Sequence, residues 1–155
     1  MMADVSERRT IPVPDRDSAP YWAALAQGRL ELQQCLDCSH WTWPPRPICS
    51  GCHGDDLAWE APSGAGEVYS WVITHQPYAP DLARIVPYTV ALVRLDEQND
   101  IMIPGRFVSD VEIRQGLRVQ AAPEPGPAGC AAGRGEPGRD GSPHPGLAPY
   151  RSASW

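Results

Sequence analysis

Four of the chain's five cysteines fall between residues 35 and 52, in the stretch CLDCSHWTWPPRPICSGC. They form two C-x-x-C pairs, Cys35 with Cys38 and Cys49 with Cys52. Zinc asks for four soft or borderline ligands in a tetrahedron, and two such knuckles joined by a hairpin supply them. The intervening SHWTWPPRPI is rich in turn formers and in aromatics that cover a metal knuckle. Two other readings compete. CSGCH (49–53) matches the C-x-x-C-H pattern of c-type haem attachment, and either pair alone resembles a redox dithiol. Haem attachment needs export, a distal ligand and an apolar pocket, and it leaves the first pair idle. A redox dithiol usually opens a helix after a strand, where the dipole lowers a thiol pKa. CLDC is followed by Ser-His and aromatics and CSGC by His-Gly-Asp-Asp, so neither fits. Iron held by four thiolates would be coloured. Structural Zn2+ is the favoured reading, with His40 and His53 beside the ligands rather than among them. A closed four-thiolate shell has no open position for water, so it predicts stability and shape, not catalysis.

Composition sets the surroundings. At 155 residues the chain is one domain or two very small ones. Apolar residues make up 42% of it, enough for a modest core that a metal would help to hold. The formal charge is −6 and the pI about 5.1, with no block of like charge, which argues against a phosphate-tracking surface. The N-terminal MMADVSERRTIPVPDRD lacks the apolar core of a signal peptide. No stretch approaches the roughly 18 apolar residues that read as a membrane span. The expectation is a cytoplasmic chain with no membrane contact, where paired C-x-x-C motifs favour metal over disulfides.

Four regions follow from the pattern. Residues 1–16 read as a flexible polar arm. Residues 17–62 hold a helix and the cysteine ribbon. DSAPYWAALAQG (17–28) has Asp17 or Ser18 as a cap, Pro20 in the first turn and Gly28 at the end. Its stripe of Tyr21, Trp22 and Leu25 is too large for water, and either packs on its own domain or docks on a partner. RLELQQC and DLAWEA read as short strands on either side of the cysteines. Residues 63–120 read as a small antiparallel barrel. GEVYSWVITHQ alternates Val68, Ser70, Val72 and Thr74 against Tyr69, Trp71, Ile73 and His75. YTVALVRLDE (88–97), IMIPGRFV (101–108) and EIRQGLRVQ (112–120) follow, with Pro104 marking an edge or bulge. Residues 121–155, dense in Gly and Pro and containing Cys130, are expected to be disordered. The fold class is thus mainly β: an N-terminal helix, a rubredoxin-like zinc ribbon and a small OB-fold barrel.

The search for catalytic groups returns little. Ser70, His75 and several aspartates exist, but no G-x-S-x-G or H-E-x-x-H motif frames them, and no Gly-rich phosphate loop opens a helix. Asp55–Asp56 and Asp96–Glu97 read as solvated loop charges. Arg46, held between prolines in PPRP, either offsets the charge of the metal tetrathiolate or contacts a phosphate or carboxylate. Arg84, Arg94 and Arg106 are the barrel-side alternatives.

Taken together, YWAALAQGRLELQQCLDCSHWTWPPRPICSGC and SGAGEVYSWVITHQPYAP…VPYTVALVRLDE carry a family likeness. The helix with Trp22, G-R-L-x-L-Q-x-C-x-x-C, PPR before the second pair, SGAGEVYSW and VPYTVALV resemble the zinc-ribbon plus OB-fold family associated with acyl-CoA enzymes. The resemblance covers residues 18–120. It implies a non-catalytic subunit in a hetero-oligomer with a thiolase-like catalytic partner, helping to form the acyl-CoA site for thiolytic or retro-aldol C–C cleavage, as in degradation of steroid side chains. It also implies Cys35, Cys38, Cys49 and Cys52 as zinc ligands, and it offers Arg46, Trp22, Trp71 and Tyr88 for the substrate or partner face. Family members continue past G-L-R-V with another apolar strand, where this chain turns to AAPEPGPAGC. Strand 112–120 then closes the barrel alone, or the partner completes it, or the tail is a shifted reading frame. The competing functional class is a single-stranded nucleic-acid-binding module, since ribbons and OB barrels both stack bases on aromatics. The acidic net charge disfavours it.

Overall fold

Proline and glycine bracket the first element of the computed structural model, which describes residues 13–123. Most of the expected arm, nearly all of the expected tail, and Cys130 lie outside these residues. Helix α1 spans Ala19–Ala26, with proline in its first turn. Neither Asp17 nor the Ser18 side chain caps it. Instead the Asp15 carboxylate accepts the Ser18 N–H at 2.8 Å and the Ser18 hydroxyl. At the other end Gly28 takes φ +75°, and Arg29 N–H donates to Ala24 O at 3.0 Å, which turns the chain out of the helix. Tyr21 and Ala24 are buried, and Trp22 and Leu25 pack beside them. The helix stripe therefore lies on the chain's own core. Tyr21 meets Trp43 with ring centroids 4.5 Å apart, and its burial pushes the phenol up to about 12.

The ribbon is an antiparallel sheet of β1 (Leu32–Cys35), β2 (Trp41–Thr42) and β3 (Leu57–Glu60), in the order β2-β1-β3. The second sheet is also antiparallel. It holds β4 (Ala65–Thr74), β5 (Tyr88–Leu95), β6 (Met102–Phe107) and β7 (Arg118–Gln120), in the order β6-β5-β4-β7. A short 3-10 turn over Pro80–Arg84 links β4 to β5. The architecture is mainly strand, with one helix, a ribbon and a curled OB-type half-barrel. Pro104 sits on edge strand β6, where its missing N–H is harmless. The last strand is shorter than the expected 112–120. Gly116 adopts φ +76° and donates to Val68 O at 2.8 Å, so the chain enters the ladder only near Leu117.

Register explains which side chains share a face, because directly paired residues point the same way. Val68 pairs with Val93, but Ser70 pairs with Leu92 and Trp71 with Ala91. A bulge at Tyr69 thus reverses the alternation. Val68, Trp71 and Ile73 share the inner face with Val93, Ala91 and Thr89, whereas Ser70, Val72 and Thr74 share the outer one. Plain alternation had placed Val68 with Val72. Gly66, four residues before Ser70, is required for a different reason. A Cβ there would stand 2.4 Å from Arg94 O and 2.8 Å from Val93 Cγ1, so β4 and β5 approach too closely for any side chain.

One core joins the parts. Tyr21 from the helix, Leu32 from the ribbon, and Val68, Val93, Leu95 and Ile103 from the half-barrel are all buried in it. Trp41, Trp43 and Trp59 pack against its rim. The ribbon therefore plugs one end of the inner face. The other end is open. β7 pairs only with Ala65–Glu67, so among the described residues no strand covers the free edge of Tyr69–Thr74. Tyr69, Trp71, Val72 and Ile73 are all exposed there.

Candidate metal centre and partner face

Two knuckles of the same shape bring the cysteines together. In the first, Ser39 N–H donates to Cys35 O at 2.9 Å; in the second, His53 N–H donates to Cys49 O at 3.1 Å. Each turn ends with a non-glycine residue in the left-handed region, Ser39 at φ 60° and His53 at φ 64°. Cys35 and Cys49, the first member of each pair, are buried, and Cys38 and Cys52 are exposed. The four Sγ atoms lie within 4.8 Å of one another, with Cys35–Cys52 and Cys38–Cys49 each at 3.6 Å.

That spacing tests the fit to zinc. A disulfide needs sulfurs about 2.05 Å apart. Zn–S bonds of about 2.3 Å in a tetrahedron place sulfurs about 3.8 Å apart. The observed spacing matches the second. Electrostatics agree. Backbone N–H groups of Cys52 and Gly51, the latter 3.2 Å from the sulfur, bring the Cys49 thiol down to about 6. The Gly54 N–H pulls Cys52 the same way, but the crowded thiols of Cys38 and Cys35 prevail and push it up to about 12. Four thiolates cannot all ionise at this distance without a cation among them, which is what zinc supplies. Neither His40 nor His53 belongs to the group. His53 is exposed on its knuckle, so the haem-like CSGCH has no structural counterpart of a haem site. The donor set and fold call for a structural zinc ion, with no open coordination position.

The other candidates do not converge. Trp22 lies on α1 against the core. Arg46 is exposed on the ribbon, its N–H donating to Gln33 Oε1 at 2.7 Å. Trp71 is on the inner face of the sheet; Tyr88, paired with Thr74, is on the outer. Tyr88 does line an open cleft of about 700 Å³, with Thr89, Arg106, Phe107, Val111 and Ile113. Of the barrel arginines, Arg94 is tied to Glu67 at 2.9 Å and lies 5.3 Å over the Tyr69 ring. Only Arg106 reaches the cleft. Sequence reasoning missed Phe107, the chain's single phenylalanine, and Gln98, whose amide crosses from half-barrel to ribbon. Phe107 had a signal, an aromatic closing the IMIPGRF strand; Gln98 sits in a polar DEQND turn and had none.

Comparison with known proteins matches this architecture part by part. Residues 22–58 match the family model described as "ChsH2, rubredoxin-like zinc ribbon domain", and residues 59–123 match "ChsH2, C-terminal OB-fold domain". A solved structure described as "Ltp2-ChsH2(DUF35) aldolase" superposes with a TM-score of 0.63 at 34% identity, covering 71% of this chain and 85% of that one. A "DUF35 domain-containing scaffold protein" of Pyrococcus furiosus is 32% identical over 100 residues, 64% of this chain and 73% of that protein. The "3-oxo-4,17-pregnadiene-20-carboxyl-CoA hydratase alpha subunit" of Mycobacterium tuberculosis is 30% identical over 110 residues, 71% of this chain but 34% of that subunit. The chain spans about a quarter to a third of the length of the hydratase alpha subunits it matches. With both halves matched in order across residues 22–123, the chain belongs to the ChsH2 (DUF35) family of zinc-ribbon and OB-fold proteins.

Proposed function

We propose that this chain is a non-catalytic accessory subunit that docks on a thiolase-like enzyme and helps to form its acyl-CoA site for C–C bond cleavage. The observation that carries this reading is the match to a two-protein aldolase structure over 85% of the related chain, at 34% identity. A relative whose name specifies a steroid-derived acyl-CoA supports a bulky acyl chain, and the word aldolase in the matched structure's description supports the retro-aldol form of a cleavage that is retro-aldol or thiolytic. Cys35, Cys38, Cys49 and Cys52 hold the zinc, and the metal shapes the ribbon without touching substrate. The open inner face near Trp71 and the cleft beside Tyr88 and Arg106 are the surfaces offered to partner and substrate. Arg106 supplies a guanidinium suited to a CoA phosphate on a rim of mixed character that also carries Thr89, Ser109 and Asp110.

The test is reconstitution. The chain purified alone is expected to show no turnover of an acyl-CoA aldol substrate, and co-expression with a thiolase-like partner is expected to give a stable complex that cleaves it. Cleavage by the isolated chain ends the proposal. So does salt-sensitive, tight binding of single-stranded DNA without any association with a thiolase-like protein.

A further inference from the structure

We infer that Gln98 couples occupancy of the four-cysteine centre to the β5–β6 hairpin, so that metal loading and hairpin geometry stabilise each other. Gln98 lies in the turn between β5 and β6, far from the cysteines in sequence. Its Oε1 accepts the Trp41 N–H at 2.9 Å and its Nε2 donates to Trp41 O at 3.0 Å, so one side chain satisfies both backbone groups of a ribbon residue. The same Nε2 lies 3.2 Å from His40 Nε2 and donates to Asp100 Oδ1 at 2.7 Å. Behind the side chain the turn closes on itself, with Ile101 N–H donating to Gln98 O at 3.1 Å and Leu95 N–H to Ile101 O at 3.0 Å.

The clasped residues touch both knuckles. His40 O accepts the Cys35 N–H at 2.9 Å, fixing the first. The His40 ring walls the second, since a Cβ on Gly51 would come within 3.0 Å of its Cγ. Thr42 Oγ1 and Ser50 Oγ, 3.4 Å apart, add another link to that knuckle. Strand β2 is only two residues long and pairs with β1 alone, so beyond the packing of Trp41 and the buried Thr42 its backbone has one strand partner. Metal pulls the two knuckles together and thereby sets β2; Gln98 sets β2 from the other side. Groups bonded directly to metal ligands typically account for 10–100-fold in affinity; Gln98 acts one step further out, through Trp41 and His40, so the lower end of that range applies. Linkage makes the effect reciprocal: whatever factor the clasp adds to metal affinity, metal adds to the clasp.

The experiment uses the full chain, with Gln98→Ala and Gln98→Glu beside wild type. Cobalt(II) titrations followed by visible absorption, then zinc displacement against a chromophoric chelator, give affinities without reference to any activity. Gln98→Ala is expected to weaken metal about tenfold. Gln98→Glu, which keeps an acceptor for Trp41 N–H but loses the donor, falls between. Hydrogen exchange supplies the second readout. In wild type, stripping zinc is expected to speed exchange at Leu95 and Ile101 at least tenfold, while in Gln98→Ala these amides exchange at the same rate with or without metal. A purely local packing role would lower the melting temperatures of loaded and metal-free chains equally and leave metal affinity unchanged. That result, or Leu95 and Ile101 amides indifferent to zinc in wild type, overturns the inference. Should Gln98→Ala fail to fold, Gln98→Glu and the wild-type exchange decide it.

Discussion

Trp71 and Tyr88 stand on opposite faces of one sheet. Trp71 pairs with Ala91 and Tyr88 with Thr74, and Tyr88 and Ala91 are three positions apart on β5, an odd offset that puts them on opposite faces. Two aromatics that sequence offered for one surface therefore lie on two. On the proposed docking, Trp71→Ala and Tyr88→Ala should weaken association with the proposed catalytic partner additively, within about 0.5 kcal/mol, because groups on opposite faces of a sheet do not couple. A double-mutant cycle on the binding free energy checks this, and a coupling well above that bound would place both in one pocket.

Gly66→Ala should be among the most damaging single changes outside the cysteines. The added methyl would meet the Arg94 carbonyl at 2.4 Å, backbone that cannot swing aside. Separating β4 from β5 there disrupts the longest ladder in the fold, and overpacking of this kind costs about 1–3 kcal/mol. Urea denaturation of wild type and variant, compared at equal slope, measures it.

His53→Gly and Ser39→Gly should each leave metal binding intact and raise stability by about 0.5 kcal/mol. A side chain in the left-handed region costs about 1–2 kcal/mol, and glycine's larger unfolded-state entropy cancels part of the gain. Melting temperature together with metal content checks both halves. Loss of metal in His53→Gly would show that the imidazole does more than occupy the turn.

Asp96 links stability to acid. The Arg118 guanidinium bonded to its carboxylate holds it below the usual carboxylate range. A carboxyl group lowered in the folded chain contributes above its ordinary pKa of 3.8 and loses that contribution as pH falls through the folded value. Both partners are well exposed, so screening limits the pair to about 0.5 kcal/mol. Asp96→Asn should thus be less stable than wild type at pH 7 and equal to it near pH 2. Denaturant titrations at both values test the sign, and the difference between proteins cancels any metal lost in acid.

The most legible parts of this molecule were those governed by one local rule. C-x-x-C spacing located the metal centre, because thiolate geometry tolerates few alternatives. Gly28 marked the end of α1, since a left-handed residue there almost requires glycine. What escaped was set by tertiary context. The bulge at Tyr69 adds one residue to a strand whose composition looks uniform, and it moves Val68 to the other face. EIRQGLRVQ has strand-like residues, but Gly116 turns the backbone away from the ladder before Leu117. Asp15 rather than Asp17 holds the helix start, because a turn preceding the helix brings it there. Gln98 was invisible because its partner lies 57 residues away.

The open half of β4 also bears on how the chain behaves on its own. Tyr69–Thr74 contains no charge and no proline, the two devices that usually keep a bare strand from recruiting strangers. It combines high β-propensity with apolar side chains on both faces, the composition of segments that template fibrils. A newly made copy on its own therefore carries its own hazard along the second half of its longest strand. Its useful lifetime, and the yield of any preparation made without a companion protein, depend on how soon that edge is capped.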